Sequence, residues 1–300
     1  MLSITEHPFP VTGSEQLPSP LRAVYSGAPG KDGCRLAIYA PVPSARLWRQ
    51  GPTAGNLLMV FDSHMLIASW REGKEVETVR ILFPALLCVE IGVILLSAWM
   101  RVIFDAGLVS NINIPFNAVG ADYFLAAHSF VRRAIDRRPH TKVAASPGVI
   151  DLPLKFRNAL RHWLAPGETV IDLVFQPELR ARRLGILERQ VVPPLLAALT
   201  DRQVLLIAEE PAKTRAALEK YSEVSIYCPL SRVDSLTLAP HGADRELADF
   251  TVALVNGDAR FPITSVVGEA QVPEFERYCH SVRSYVEKRR MSDACILINR

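Results

Sequence analysis

Leu57-Leu58-Met59-Val60-Phe61-Asp62-Ser63-His64-Met65-Leu66-Ile67-Ala68 returns later in the chain as Leu196-Ala197-Ala198-Leu199-Thr200-Asp201-Arg202-Gln203-Val204-Leu205-Leu206-Ile207-Ala208. Each stretch is an apolar run, a polar turn centred on an aspartate and a second apolar run. That pattern reads as two strands joined by a tight turn. Asp62 falls opposite Asp201, and Leu66-Ile67 falls opposite Leu206-Ile207 after a slip of one residue.

Working outward, further anchors keep the same order. Leu17-Pro18-Ser19-Pro20-Leu21-Arg22, followed by Ala28-Pro29-Gly30, matches Leu152-Pro153-Leu154-Lys155-Phe156-Arg157, followed by Ala165-Pro166-Gly167. Val79-Arg80-Ile81 with Pro84 and Val89 matches Val224-Ser225-Ile226 with Pro229 and Val233. Ile114-Pro115 matches Phe261-Pro262, and Val119-Gly120 matches Val267-Gly268. The offset climbs from 135 (17 to 152) through 139 (62 to 201) and 145 (84 to 229) to 148 (119 to 267). Small insertions in the second copy of a duplicated module produce such a drift, so the sequence predicts two diverged copies of one strand-rich unit.

The second copy reads more plainly. Leu154 to Leu164 has helical spacing and stops at Pro166-Gly167. Strands are expected at 169–175, 195–199, 203–208, 224–227, 233–238, 247–255 and 260–264, the last two joined by a hairpin at Asn256-Gly257-Asp258. Phe275, Tyr278, Cys279, Val282 and Val286 then form the apolar stripe of a final helix over 272–288. In the first copy Ala121 to Asp136 takes that place, with Tyr123, Phe124, Ala127, Phe130, Val131 and Ala134 as the stripe. The expected organisation is a flexible N-terminus at 1–15, a first module at 16–138, a linker at 139–150, a second module at 151–290 and a tail at 291–300.

Seven strands closed by one helix, with Leu199 to Ile207, Ser225 to Leu236 and the Asn256-Gly257 hairpin, resemble the bacterial pleckstrin-homology-like (PH-like) family. The resemblance covers 168–290 and is looser in the first copy, where no polar turn follows Val89. It implies an α+β, mainly β fold: two curled antiparallel sheets or barrels, each capped by a C-terminal helix. It also implies a binding or assembly module, since no motif of the family is catalytic.

Ile81 to Met100 carries Glu90 as its only charge, and it lies between Arg80 and Arg101. A predominantly apolar run of twenty residues also suits a single membrane span, which would anchor the chain. Against a span stand Pro84, Glu90 and the nearly equal lengths of the two copies across this region. As strands, 91–96 would be apolar on both faces, and Ile91, Val93 and Leu95 are then the expected assembly interface.

Composition narrows the function. Apolar residues at 49% and charged ones at 22% suit a chain that buries cores, and a net charge of +3 is far below that of a dedicated nucleic-acid binder, so no nucleic-acid partner is expected. The first 20 residues lack the apolar core of a secretory signal, and the five cysteines are widely spaced, which points to thiols in a reducing cytoplasm. No phosphate-binding glycine loop, nucleophile elbow or metal-binding helix motif occurs, so no catalytic residue, cofactor or metal is expected. The one basic cluster is Arg180, Arg182 and Arg183 with Arg189, placed between the first two strands of the second copy. Closely spaced guanidiniums there would contact an anionic ligand or lipid headgroup. The sequence thus predicts a non-enzymatic cytoplasmic interaction protein, working through a protein partner or homo-oligomer, with binding to an anionic membrane as the alternative.

Overall fold

A computed structural model of the chain describes residues 7–28, 33–42, 54–135, 151–183, 187–209, 222–242 and 244–298. The chain separates into two units, Met1–Ala106 with Ser110–Arg137, and Gly107–Val109 with Arg138–Arg300. Both are mainly β with helices. The linker expected at 139–150 falls outside the described residues.

In the first unit, β1 (Phe9–Pro10) pairs with β2 (Leu36–Pro41), and α1 (Ser19–Gly27) lies between them in sequence. With β3 (Ala54–Val60), β4 (His64–Arg71) and β5 (Glu77–Leu82) they form an antiparallel sheet in the order β1-β2-β3-β4-β5. Residues 7–15, expected to be flexible, belong to this fold. Phe9 meets Tyr39 edge to face at 5.5 Å, Val11 is buried, and its N–H donates to the Ala37 carbonyl at 2.8 Å. One face of the sheet buries Tyr39, Leu57, Met59, Leu66 and Ala68 with Leu21 and Tyr25 of α1. Ile38, Leu58, Val60, Met65 and Ile67 on the opposite face are buried as well. A strand covered on both sides has no polar alternation, which is why Leu57 to Val60 is uniformly apolar.

Pro84 then sits in a 3-10 turn (Phe83–Ala85), and β6 (Leu86–Ile94), β7 (Ser97–Asp105) and β8 (Val109–Asn117) follow as neighbours. The unit ends in α2 (Ala121–Ile135), whose Phe124, Ala127 and Val131 are buried; Phe124 stacks on Phe116 of β8 at 3.8 Å. The run Ile81 to Met100 is therefore the end of β5, a turn, β6, a second turn and the start of β7, and the expected alternative of a membrane span is overturned. Among the described residues no helix is long and apolar enough to cross a membrane. Glu90 is accommodated across the β6–β7 pair: Trp99 Nε1 donates to its carboxylate at 2.7 Å, and Arg101 lies at 3.4 Å.

The second unit opens with α3 (Leu154–Trp163) and β9 (Val170–Gln176), followed by a hairpin of β10 (Leu179–Arg183) and β11 (Leu187–Val192). Next come β12 (Leu195–Thr200), β13 (Gln203–Ala208) and β14 (Ser222–Pro229), sheet neighbours in the order β14-β13-β12-β9. A second sheet joins β15 (Val233–His241), β16 (Asp244–Asn256) and β17 (Ala259–Gly268). The final helix, α4 (Val272–Ile298), runs well past 291, so no separate tail begins there. It packs on β9 and β15. Phe275 meets Phe250 edge to face at 4.9 Å, and Arg277 Nη1 donates to both carboxylate oxygens of Asp172 at 2.8 and 2.9 Å.

Between their two helices the first unit has seven strands (β2–β8) and the second has nine, the extra two being the β10–β11 hairpin, and the registers of the remaining strands correspond. Pro18 and Pro153 cap α1 and α3 with the same φ of −52°, at an offset of 135. Tyr39 pairs with Leu57 as Phe175 pairs with Leu196, an offset of 136 (39 to 175) on β2 and β9. Val60 pairs with Met65 as Leu199 pairs with Val204, an offset of 139 (65 to 204) with no slip inside the hairpin. Met65 pairs with Ile81 as Val204 pairs with Cys228, an offset of 147 (81 to 228). Helix α2 buries Phe124, Ala127 and Val131 at the places where α4 buries Phe275, Tyr278 and Val282, an offset of 151 (124 to 275). The expected barrels are not closed: the strands of each unit fall into separate sheet segments, with the chain turning at Pro84 in the first and after Pro229 in the second.

His128 on α2 is buried, and burial, reinforced by Arg132, pushes its imidazole pKa well below the ordinary value. His64, stacked on Phe61 at 4.4 Å, is lowered by burial and by Arg80. Below about pH 6.5 the unfolded chain binds protons at both residues that the folded chain refuses. Folding stability is therefore intact above that value and falls as pH drops through it. Urea titrations should show a falling midpoint between about pH 7 and about pH 5. The fall should be smaller in His128→Cys, which carries the residue that the second unit buries at the same place, Cys279.

Candidate functional site

The arginines expected to contact anions lie on the β10–β11 hairpin rather than in an open loop. In its register Arg180 stands opposite Gln190, Ala181 opposite Arg189, Arg182 opposite Glu188 and Arg183 opposite Leu187. Arg180 pairs with Glu178 at 3.0 Å. The hairpin thus interleaves acids with its arginines.

Of the expected assembly residues, Ile91 is buried, Val93 is half-buried and Leu95 is exposed. The strand stops at Ile94, and Leu95 and Leu96 alone make the turn into β7, with Ile94 paired to Ser97. So short a hairpin connection requires positive φ. Leu95 supplies it at φ 52°, and it is the only non-glycine residue with positive φ among the described residues. The corresponding turn of the second unit, between β15 and β16, places Gly242 there at φ 55°, at the same offset of 147 (95 to 242). Glycine adopts this conformation freely, whereas a leucine carries a cost of about 1–2 kcal/mol. The Leu96 carbonyl accepts from Ala118 N–H at 2.9 Å, which sets the 3-10 turn Ala118–Gly120 beside it. Leu95, Leu96 and Val119 are 47%, 69% and 65% exposed, an apolar knob built from two turns of one unit.

The same unit holds a cleft of about 340 Å³. Its floor is a cross-strand row on one face of the sheet: Asn56 on β3 stands opposite Ser69 on β4, and Ser69 stands opposite Glu77 on β5. One step along, Ala54 faces Arg71. Asn56 is 6% exposed, and its Oδ1 accepts from the Ser69 hydroxyl at 2.8 Å. Lys74 and Glu75 from the β4–β5 turn, and Asn113 and Pro115 from β8, complete the lining.

Neighbouring Cys279 and His280 part ways on α4. Cys279 is buried with its thiol pushed up to about 11, chiefly by desolvation, and His280 is exposed. A thiol held so far above neutrality supplies little nucleophile. Among the described residues no three His, Cys, Asp or Glu side chains converge to hold a metal ion.

Neither the family models nor the curated proteins contain a match to this sequence. Sequence reasoning missed Leu96, Val119, Asn56, Ser69 and Glu77, and for Asn56 and Ser69, as for the turn at Leu95, comparison of the two units supplies a signal. Leu95, Asn56 and Ser69 stand where the second unit has Gly242, Leu195 and Ala208, and the contrast emerges once the hairpins are aligned without a slip.

Proposed function

We propose that the chain is a non-enzymatic cytoplasmic interaction protein made of two PH-like modules, and that the first module mediates self-association through the Leu95–Leu96 turn. The observation that carries this reading is a leucine held at positive φ and exposed, where the equivalent turn uses glycine. An unfavourable backbone conformation kept alongside exposed apolar surface supports a role in contact rather than in folding. The PH-like reading is supported by a set of antiparallel strands, a further three strands and a closing helix in each unit, with β1 added in the first and the β10–β11 hairpin in the second. Free thiols at Cys34, Cys88, Cys228 and Cys279 suit a reducing compartment. The anionic-membrane alternative rests on the β10–β11 arginines, and the acids interleaved with them make it the weaker reading.

Light scattering tests it. The wild-type chain should exceed its 33.2 kDa monomer mass at micromolar concentration, and Leu96→Asp should return to 33.2 kDa with an unchanged circular dichroism spectrum. A wild-type chain that stays monomeric throughout removes self-association as the function of this turn.

A further inference from the structure

Asn56 is a buried amide that the fold does not need. The equivalent positions in the second unit, at the same register, are Leu195 opposite Ala208, an apolar pair that fills the same place between neighbouring strands. In the first unit the pair is Asn56 opposite Ser69, and the Ser69 hydroxyl occupies Asn56 Oδ1 at 2.8 Å. That bond fixes the amide's orientation and leaves its Nδ2 hydrogens without an acceptor among the described residues, at a side chain that is 6% exposed and lines the cleft. Nδ2 is not one of the fully buried side-chain atoms that lack a partner, so it is open to an acceptor that enters the cleft.

The groups around it describe that partner. Arg71 lies one step along the strands from Asn56 and Ser69, and Glu77 stands directly across from Ser69. Lys74 and Glu75 follow in the turn above. Two cations and two carboxylates therefore line the cleft, and among the described residues none of the four forms an ion pair or side-chain hydrogen bond. An anion alone would meet repulsion from Glu77 and Glu75, and a cation alone would meet it from Arg71 and Lys74. A molecule with both charges satisfies all of them. The volume, about 340 Å³, is at the small end of the range for ligand sites, roughly 300–1,000 Å³.

We infer that this cleft binds a small zwitterion of amino-acid to dipeptide size. Its carboxylate accepts from Asn56 Nδ2 and Arg71, and its ammonium group faces Glu77. The inference is independent of the association proposed above, because Leu95, Leu96 and Val119 do not line the cleft.

Titration of the isotopically labelled full chain with L-alanyl-L-alanine, followed by amide chemical shifts, tests it. Saturable shifts are expected at the Asn56 side-chain amide and at Ser69. Asn56→Leu, which installs the residue of the second unit, should weaken binding about tenfold or more. The same variant should keep its fold and show an equal or higher melting temperature without ligand. Absence of saturable shifts, or undiminished binding by Asn56→Leu, overturns the site. Binding of acetate or ethylammonium as tight as that of the dipeptide overturns the zwitterion. A lower melting temperature of Asn56→Leu without ligand overturns the claim that the amide serves a ligand rather than the fold.

Discussion

Truncation of Phe275 to alanine is expected to cost about 3–5 kcal/mol of folding stability, among the largest losses available to a single substitution in the second unit. Phe275 is fully buried on α4 and meets Phe250 of β16 edge to face at 4.9 Å, while Phe250 in turn lies 6.3 Å from Tyr278 one helical turn on. An alanine at 275 therefore removes one ring of a three-ring cluster and leaves a cavity between helix and sheet, which close packing prevents from collapsing fully. The surface contact that remains, Arg277 forked onto Asp172 with side chains 57% and 14% exposed, is worth about 1 kcal/mol and cannot replace it. Urea unfolding followed by Trp163 fluorescence reports on this unit. A loss below about 1 kcal/mol would show that α4 does not dock through this stripe. Phe124→Ala tests the matching position of the first unit, where the partner is Phe116 at 3.8 Å, and should lose a similar amount.

The final helices were legible because their stripes repeat at three and four residues, and Phe275, Tyr278, Val282 and Val286 are all buried. Seven strands of the second unit were equally legible from their turns, with Asn256-Gly257 joining β16 to β17 and Asp201-Arg202 joining β12 to β13. Register was harder. The sequence aligned Val79-Arg80-Ile81 with Val224-Ser225-Ile226, whereas the ladders place Ile81 with Cys228, two residues further on. A strand shifted by two keeps every side chain on its own face, so the hydrophobic pattern cannot detect the error. Val119-Gly120 and Val267-Gly268 are not equivalent at all, since the first pair lies in a 3-10 turn and the second ends β17.

Other features had no local signal. The β10–β11 hairpin has arginines where apolar residues usually mark strands, so its charges read as a loop. The turn at Leu95-Leu96 contains none of the residues that announce turns, and it vanished into an apolar run long enough to span a membrane. The cleft depends on residues from β3, β4, β5 and β8 that only pairing brings together. Asn56 alone is one more polar residue at the start of an apolar run. Its meaning comes from Ser69 beside it and from Leu195 at the same place in the other unit.

Gly92→Ala should destabilise the first unit by about 3–5 kcal/mol, and the sign of the effect separates two structures for the same apolar run. Gly92 is paired with Trp99 across β6 and β7, and a Cβ on Gly92 would sit 2.0 Å from Trp99 Cζ2. The indole must move. It also holds Glu90, whose carboxylate accepts from Trp99 Nε1 at 2.7 Å within an otherwise apolar strand, with Arg101 further off at 3.4 Å. Overpacking contributes about 1–3 kcal/mol, and loss of a hydrogen bond to a buried carboxylate adds about 1.5–3 kcal/mol. Trp99→Phe relieves the crowding but loses the bond, so it should cost only the second amount. In a membrane-spanning helix the outcome would reverse, because alanine is a better helix former than glycine by about 1 kcal/mol and no strand partner crowds its methyl group. Chemical unfolding of Gly92→Ala and Trp99→Phe beside the wild type thus gives a ranked result. A Gly92→Ala variant as stable as wild type, or more so, would refute the β6–β7 pairing on which both the Leu95 turn and the accommodation of Glu90 depend.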